Sequence, residues 1–394
     1  MDGLFTTLSI LILLNILACG FWWWVALSWM AGSRKIPDLV SLPEPANEDL
    51  PVLSVIIPAR DEADSLGPAL SSVLQSVPPN AEVILVNDRS SDNTAELALE
   101  MARKDARVTV LTVADLPAGW LGKNHAIQLG ADASSGEWML FTDADVHFEN
   151  GCIERALNFV LCEGLDHLVV APELRTRGFF EKVFVSFFVV ILLTWLRGWR
   201  VNDPASESYL GIGAFNLVRR EAYLRAGEHH ALRDEVVDDL VLGRNLRRTG
   251  SLQRVVGGRG CLWVRWNEGL GGLIKGVEKN AYAGFGYNPF RAAGGCIALL
   301  TATLVPFWTP ILHAAFGWPW TGWAGMAGLA AWPAFGLIYR QAGRHTDVPW
   351  LFFPTFPLGA ILQVGAIIRS AAVYHISGGV RWKGTLYEDH GKGL

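Results

Sequence analysis

Charged residues are scarce in this chain. Asp, Glu, Lys and Arg make up 18% of its 394 residues, where soluble proteins carry about 25%. The formal net charge is only -5 and no basic patch gathers along the sequence, which excludes nucleic acid as a partner. Cysteine is equally thin: Cys19, Cys152, Cys162, Cys261 and Cys296 stand far apart, with no C-x-x-C and no histidine at metal spacing. That pattern excludes a disulfide framework or zinc site and fits free thiols in a reducing compartment.

What fills the space is apolar. Hydrophobic residues reach 51%, with 17 Trp, a profile shifted toward membrane proteins. The length allows one globular domain of roughly 200 to 250 residues plus several membrane segments. No charge falls between Gly3 and Ser33, and Arg34 and Lys35 follow at once. This reads as a membrane anchor over 1–33 with the polar domain on the cytoplasmic side. A cleaved signal peptide fits less well, because the apolar core is too long and neither a basic start nor a small-x-small site is present.

Toward the other end, Ala292 to Tyr339 is free of charge, enough for two spans joined at the Trp-rich FGWPWTGW corner, and Arg340 and Arg344 mark the return. Val348 to Ile368 is a further uncharged run with Pro349, Pro354 and Pro357. If it spans, the tail with Arg381 and Lys383 lies outside, against the charge rule; a kinked or re-entrant segment is the other reading. The C-terminal membrane region is thus 292–375 in two or three segments, with a tail over 376–394. Between the anchors, Val183 to Leu196 would extend only about 21 Å as a helix, short of a hydrocarbon core about 30 Å thick. An interfacial helix near 179–200 fits, with Glu181, Lys182, Arg197 and Arg200 at its ends, and a buried core helix is the alternative.

Over 50–290 the pattern alternates strand and helix. LSVIIPA, AEVILVND, VTVLTV and EWMLFTDAD are buried-strand runs, each of the first three followed by a helical pattern. The expectation is an α/β, Rossmann-like, mostly parallel sheet covered by helices, with ligands beyond the carboxyl ends of the strands. Arg60-Asp61, Asn87-Asp88 and Asp143-Ala144-Asp145 all fall at those ends.

These positions suggest a chemistry. A nucleotide sugar carries a diphosphate whose charge must be neutralised before it leaves, and Mg²⁺ or Mn²⁺ held by one or two carboxylates does this. Asp143 and Asp145 flank one residue where a strand is ending, so both can turn toward one site. Asp88 suits a hydrogen bond from a base edge, while Asp92 and Asn93 read as a turn and helix cap. Lys123 is either a cation for the diphosphate or an exposed surface lysine. Asp239 is the candidate general base, although Asp238 and Asp239 would also complement a helix dipole.

Taken as a set, LSVIIPARDEADSL, EVILVNDRSSDNT, GEWMLFTDADV and VVDDLVLGRNLRRTG resemble the successive signatures of family 2 glycosyltransferases with the GT-A fold, over roughly residues 50 to 270. The order of membrane segments and the closing VRWKGTLYED most resemble the membrane-bound, bacterial hopene-associated glycosyltransferases. The resemblance implies that Pro58, Arg60, Asp61 and Glu62 border the nucleoside and that Asp88 reads the base. It further implies that Asp143 and Asp145 serve diphosphate and metal, with Asp239 as catalytic base. The expected activity is inverting transfer from a nucleotide sugar, most simply a UDP-sugar, to a hopanoid or other membrane lipid, at a bacterial inner membrane with the catalytic domain in the cytoplasm. The Q-x-x-R-W motif of processive members is missing, and Arg265, Trp266, Lys275 and Lys279 stand in the comparable stretch. Lys275 and Lys279, four apart, share a helical face that could meet a diphosphate or lipid phosphates.

Three other readings remain. A sugar nucleotidyltransferase would need a Gly-rich, basic loop after the first strand, which ARDEADSLGP lacks. A polyprenyl-phosphate sugar synthase would share donor and fold. A non-catalytic membrane protein with a degenerate nucleotide-sugar domain is the non-enzyme alternative.

Overall fold

The computed structural model describes residues 2–42, 50–317, 322–382 and 385–388. The chain divides into two compact units, residues 34–175 with 196–266, and residues 1–33 with 176–195 and 267–394. It starts in the second of these with α1 (Asp2–Ser33) and then enters the first.

That first unit is the polar domain. Its chain runs β1 (Leu53–Ala59), α2 (Ala63–Ser76), β2 (Glu82–Asn87), α3 (Thr94–Lys104), β3 (Val108–Thr112), α4 (Gly122–Ala133), β4 (Trp138–Phe141), β5 (Val146–Phe148), α5 (Cys152–Glu163), β6 (His167–Ala171) and β7 (Glu173–Leu174). After α6 (Phe179–Leu196), which belongs to the other unit, it resumes with β8 (Asn216–Arg219), α7 (Arg220–Arg225), α8 (Asp238–Arg248), β9 (Gln253–Gly257) and β10 (Leu262–Val264). Seven strands form one sheet in the order β3-β2-β1-β4-β8-β6-β9. Only β8 runs antiparallel to its neighbours β4 and β6, so the expected mostly parallel α/β sheet is what forms. A small second sheet, β5-β10-β7, lies outside that expectation.

Both faces of the large sheet are covered, which is why its strands read as continuous apolar runs. Val55 and Ile57 of β1 join one core cluster with Leu66 and Leu70 of α2, while Ile56 between them joins another with Ile127, Met139 and Phe141. Side chains alternate across a strand, so one run feeds two cores. On the second face α4 lies close: a Cβ at Gly130 would stand 2.7 Å from Ile56 Cγ2.

The other unit holds α1, α6, α9 (Gly269–Ala281), α10 (Pro289–Phe316), α11 (Gly322–Leu329), α12 (Trp332–Ala342), α13 (Phe356–Ser377) and the hairpin β11 (Gly379–Trp382) with β12 (Thr385–Glu388). Among the described residues, four helical stretches are long and apolar enough to cross a membrane: 8–33, 179–200, 289–316 and 350–377. The first of the two expected C-terminal spans is one helix of 28 residues. The second is broken into α11 and α12, and residues 318–321 of the Trp-rich corner lie outside the described residues, as does Lys383. The internal apolar helix, expected near 179–200, runs from Phe179 to Leu196, and in its first turn the Glu181 carboxylate accepts from Arg177 N–H at 2.6 Å.

Glu82 ties the polar domain's sheet to the turn before β4. Its carboxylate accepts from Ser54 Oγ and Ser135 N–H at 2.6 Å each and from Gly136 N–H at 3.2 Å. Burial alone would raise its pKa, but these donors outweigh burial and hold it below the usual glutamate value. A depressed carboxyl pKa contributes stability above the unfolded value that is lost as pH falls through the folded one. Glu82→Gln therefore lowers stability at pH 7 by about 1–3 kcal/mol. Thermal unfolding in detergent should show that gap, and the gap should close as pH drops below about 4.3.

Candidate active site

Strands β1, β2 and β4 are parallel, and each hands over to a polar turn at the same edge of the sheet. After β1, Asp61 adopts φ +50°, a left-handed conformation that a short polar side chain tolerates. Its carboxylate accepts from Ser91 N–H at 2.7 Å, and Glu62 N–H donates to Thr94 Oγ1 at 2.8 Å, so the turns after β1 and β2 are laced together. Asp92 accepts from Thr94 N–H at 3.0 Å, in the structural role expected of it.

Asp88 stands just past β2 and is 2% exposed. Arg89 Nε donates to its Oδ1 at 2.8 Å, and Arg60 Nη1 stands 3.9 Å from Oδ2. Among the described residues no hydrogen-bond donor reaches the buried Oδ2. A buried acceptor left bare costs about 1–3 kcal/mol, so this atom fits a donor arriving on a ligand. The arginine pair was not foreseen: Arg60, expected at the nucleoside, faces Asp88. Gly122 opens α4 directly beside them, where a Cβ would lie 2.2 Å from Asp88 Oδ2.

The next residue joins the rest of the site. Lys123 Nζ reaches Asp143 Oδ1 at 2.6 Å and Asp238 Oδ2 at 3.9 Å. Burial would discharge this ammonium, but Asp143, Asp238 and Asp239 outweigh burial and hold its pKa above the usual lysine value. It is no surface lysine, with its side chain 18% exposed. Burial, then Asp143 and Glu62, push the Asp145 carboxyl up to about 7. Asp239 opens α8 beside Asp238 and accepts from Gly213 N–H and Leu240 N–H at 2.8 Å each. Burial and Asp238 push it up to about 6 despite Lys123 and those donors.

Several residues that motif reading passed over fix this arrangement. Gly213 touches both halves of the site, since its carbonyl accepts from Asp143 N–H at 3.1 Å while its N–H holds Asp239. A Cβ at Gly211 would meet the Asp239 carbonyl oxygen at 1.8 Å. Asn216 holds the Gly211–Ala214 loop through Ile212, donating to its carbonyl at 2.8 Å. Asn124 donates to the carbonyls of Leu232 and Glu235, in the segment leading to Asp238. His229 lines the same cleft, and burial with Lys123 nearby pushes its pKa down to about 3, so it is neutral there. G-I-G-A-F-N, with two glycines before an asparagine, was the available signal for the first three.

The cleft is bounded by Pro58, Lys123, Asp143, Gly213, Asp238 and Asp239 among others. Among the described residues no cluster of three or more His, Cys, Asp or Glu could hold a metal alone. The crowding of Asp143, Asp145 and Glu62 fits a cation completed by ligand oxygens instead. Arg265 stands half-buried just past β10, whereas Lys275 is exposed on α9 of the other unit, and the Lys279 side chain lies outside those described.

Residues 54–225 match the model for Glycosyl transferase family 2. The 4,4'-diaponeurosporenoate glycosyltransferase of Staphylococcus aureus strain RF122 / ET3-1 is 26% identical over 339 residues, covering 85% of this chain and 88% of that protein. The same enzyme from strain MRSA252 is 25% identical over 338 residues, with the same shares covered. Among solved structures, a mannosyltransferase of Pyrobaculum calidifontis in complex with GDP-Man and Mn²⁺ aligns over 93% of this chain and 99% of its own, with TM-score 0.51 and 16% identity. The chain carries a family 2 glycosyltransferase domain on a GT-A-like fold. It is a glycosyltransferase, which sets aside the non-catalytic alternative. The family match ends before α8, so the role of Asp239 rests on geometry.

The glycine requirement is directly testable. Gly211→Ala must move the Asp239 backbone, and displacement of a reacting group by about 1 Å costs on the order of 100-fold in rate. Turnover should fall by that order with donor affinity nearly unchanged; near-normal turnover would remove Gly211 from this role.

Proposed function

We propose that this chain transfers a sugar, with inversion, from a nucleotide-sugar donor to a membrane lipid, assisted by Mg²⁺ or Mn²⁺. The observation that carries this reading is the juxtaposition of Lys123, Asp143, Asp238 and Asp239 at one cleft, in a chain with four helices apolar enough for a bilayer. A UDP-sugar is the donor we favour, with Asp88 Oδ2 accepting from the base and residues 58–62 bordering the nucleoside. Asp145 and Asp143 would hold the cation, which supplies neutralising charge to the diphosphate. Lys123 supplies a fixed positive charge beside it.

In the transfer, the acceptor hydroxyl oxygen bonds to the anomeric carbon as the bond from that carbon to the diphosphate breaks. Asp239 takes the hydroxyl proton and the nucleoside diphosphate leaves. Two S. aureus relatives are named for 4,4'-diaponeurosporenoate, a carboxylate, which supports a lipid-like acceptor and not the hydroxyl itself; a hopanoid or another glycolipid acceptor fits this chain's composition. We place the enzyme in a bacterial inner membrane with the polar domain, residues 50–175 and 196–266, in the cytoplasm. There α6 lies in the interface, because β8, which follows it, pairs between β4 and β6, which precede it, and one crossing would split that sheet. The polyprenyl-phosphate reading differs in its acceptor, since an acceptor that is already an anion needs no base.

Dependence on Asp239 separates the two. Asp239→Asn should keep donor binding and lose transfer to a hydroxyl by about 10² to 10⁴. In the unaltered enzyme, activity should rise with pH and level off above about 6, as the carboxyl loses its proton. Near-normal transfer by the Asn variant would favour the anionic acceptor.

Identity of donor and lipid comes from incubating detergent-purified protein with UDP-, GDP- and dTDP-sugars and total bacterial lipid, with Mg²⁺, Mn²⁺ or EDTA. Mass spectrometry should show a new glycolipid that EDTA abolishes. Product formed equally in EDTA would refute the metal, and a water-soluble product alone would refute the lipid acceptor.

A further inference from the structure

The stretch Trp350–Ser377 has the length and composition of a fourth membrane span. Its polar attachments contradict a crossing. At its start, Asp347 accepts from Thr176 Oγ1 at 2.6 Å and from Thr176 N–H at 3.2 Å. Thr176 is two residues past β7 and lies just before α6, so it is tied by sequence to the side of the membrane that holds the catalytic sheet. Near the segment's end, Arg369 pairs with Glu278 at 2.7 Å, Ser370 receives Tyr282 N–H at 3.1 Å and donates to the Glu278 carbonyl, and His375 meets Tyr282 Oη at 3.0 Å. Glu278 and Tyr282 belong to α9 and its C-terminal cap.

Which side α9 occupies follows from its own chain. It begins at Gly269, whose N–H donates to Glu181 at the start of α6 at 2.7 Å. Its 13 residues rise about 20 Å, too little to cross a hydrocarbon core of about 30 Å, and Lys275, Glu278 and Lys279 interrupt it. Both ends of the apolar stretch are therefore bound to residues on the catalytic side. Between those attachments the chain goes inward: Phe356, the first residue of α13, packs on Trp22 of α1 at 4.8 Å and on Phe335 of α12 at 4.4 Å, between ring centroids. Trp22 lies about 18 Å along its helix from Arg34, well inside the bilayer.

We propose that residues 348–377 are re-entrant, entering the membrane from the catalytic side and returning to it, so that the C-terminus and the catalytic domain share one side. The segment and α6 then form an apolar platform sunk in a single leaflet, with lipid acyl chains as its partner. Exposed Leu351, Ile361, Ile368 and Ile376 supply the lipid-facing surface of this platform, together with Phe179 and Trp195 of α6. Proline suits such a path, since Pro349 and Pro354 flank and interrupt the 3-10 turn at Trp350–Thr355, and Pro357 in the first turn of α13 spares an amide donor where that N-terminus lies deep. The placement also puts Arg381 on the side that the charge rule requires. It rests on α10 crossing and on the broken pair α11–α12 returning, and not on which side is cytoplasmic.

The test uses full-length single-cysteine variants in membranes, labelled with an impermeant maleimide on intact spheroplasts and on inverted vesicles. Native Cys162, exposed on the catalytic unit, marks the catalytic side. A cysteine added after Leu394 should label from the same side as Cys162, and Phe316→Cys from the opposite one. Labelling of the added cysteine from the side opposite Cys162 would overturn the re-entrant path, and so would Phe316→Cys labelling with Cys162. If Cys162 and the added cysteine both label from outside, the cytoplasmic placement fails while the re-entrant path stands.

Discussion

One buried ammonium makes this site possible. Asp143, after β4, and the adjacent Asp238 and Asp239, at the start of α8, would repel one another in a partly buried cleft, where like charges 4 Å apart cost about 4 kcal/mol at an effective dielectric constant of 20. Lys123 lies against the first two and holds its proton because of all three. Its neighbours in sequence carry the same constraint outward. Gly122 leaves room for Asp88, and Asn124 clamps the turn that delivers Asp238 and Asp239. A three-residue helix start thus connects the proposed base-reading, diphosphate and proton-accepting groups.

Close backbone approach is the second constraint, and it explains why glycine recurs where no turn demands it. Gly211, Gly213 and Gly243 lie where Cβ atoms would collide with Asp239, Asp143 or the Leu210 carbonyl. These contacts seat the start of α8 against the loop before β8. The pKa values follow from the same crowding, because Asp239 loses water to the backbone around it and gains only two N–H donors in return. A carboxyl raised to about 6 is still largely ionised at neutral pH and is a stronger base than a solvated aspartate.

The parallel half of the sheet was legible because strands buried on both faces leave unbroken apolar runs, as LSVIIPA and AEVILVND do. The turn carboxylates were legible because they follow those runs directly. The antiparallel β8 and the short β5-β10-β7 sheet were not, since strands of two to four residues carry too little periodicity to distinguish from loops. Lys123 was ambiguous for a different reason: its role depends on α8, more than 100 residues away, which no local pattern reports. The arginines at Asp88 were hidden in the same way: Arg89 follows Asp88 with nothing in its own segment to mark it, and Arg60 reaches Asp88 from the neighbouring strand end.

Hydropathy has a related limit, because it measures whether a helix can enter a bilayer and says nothing of where its ends emerge. For α6 the ends are fixed by pairing: β4 and β6 precede the helix, β8 follows it, and the three are hydrogen-bonded in one sheet. A single crossing would carry β8 to the far side and leave two strands with unpaired amides in the core, a loss far larger than any gain from spanning. The helix must therefore begin and end on one side whatever its composition. The same logic transfers to any apolar stretch whose flanks are tied to a common partner, and here it turns strand pairing and a few polar side-chain contacts into constraints on membrane topology.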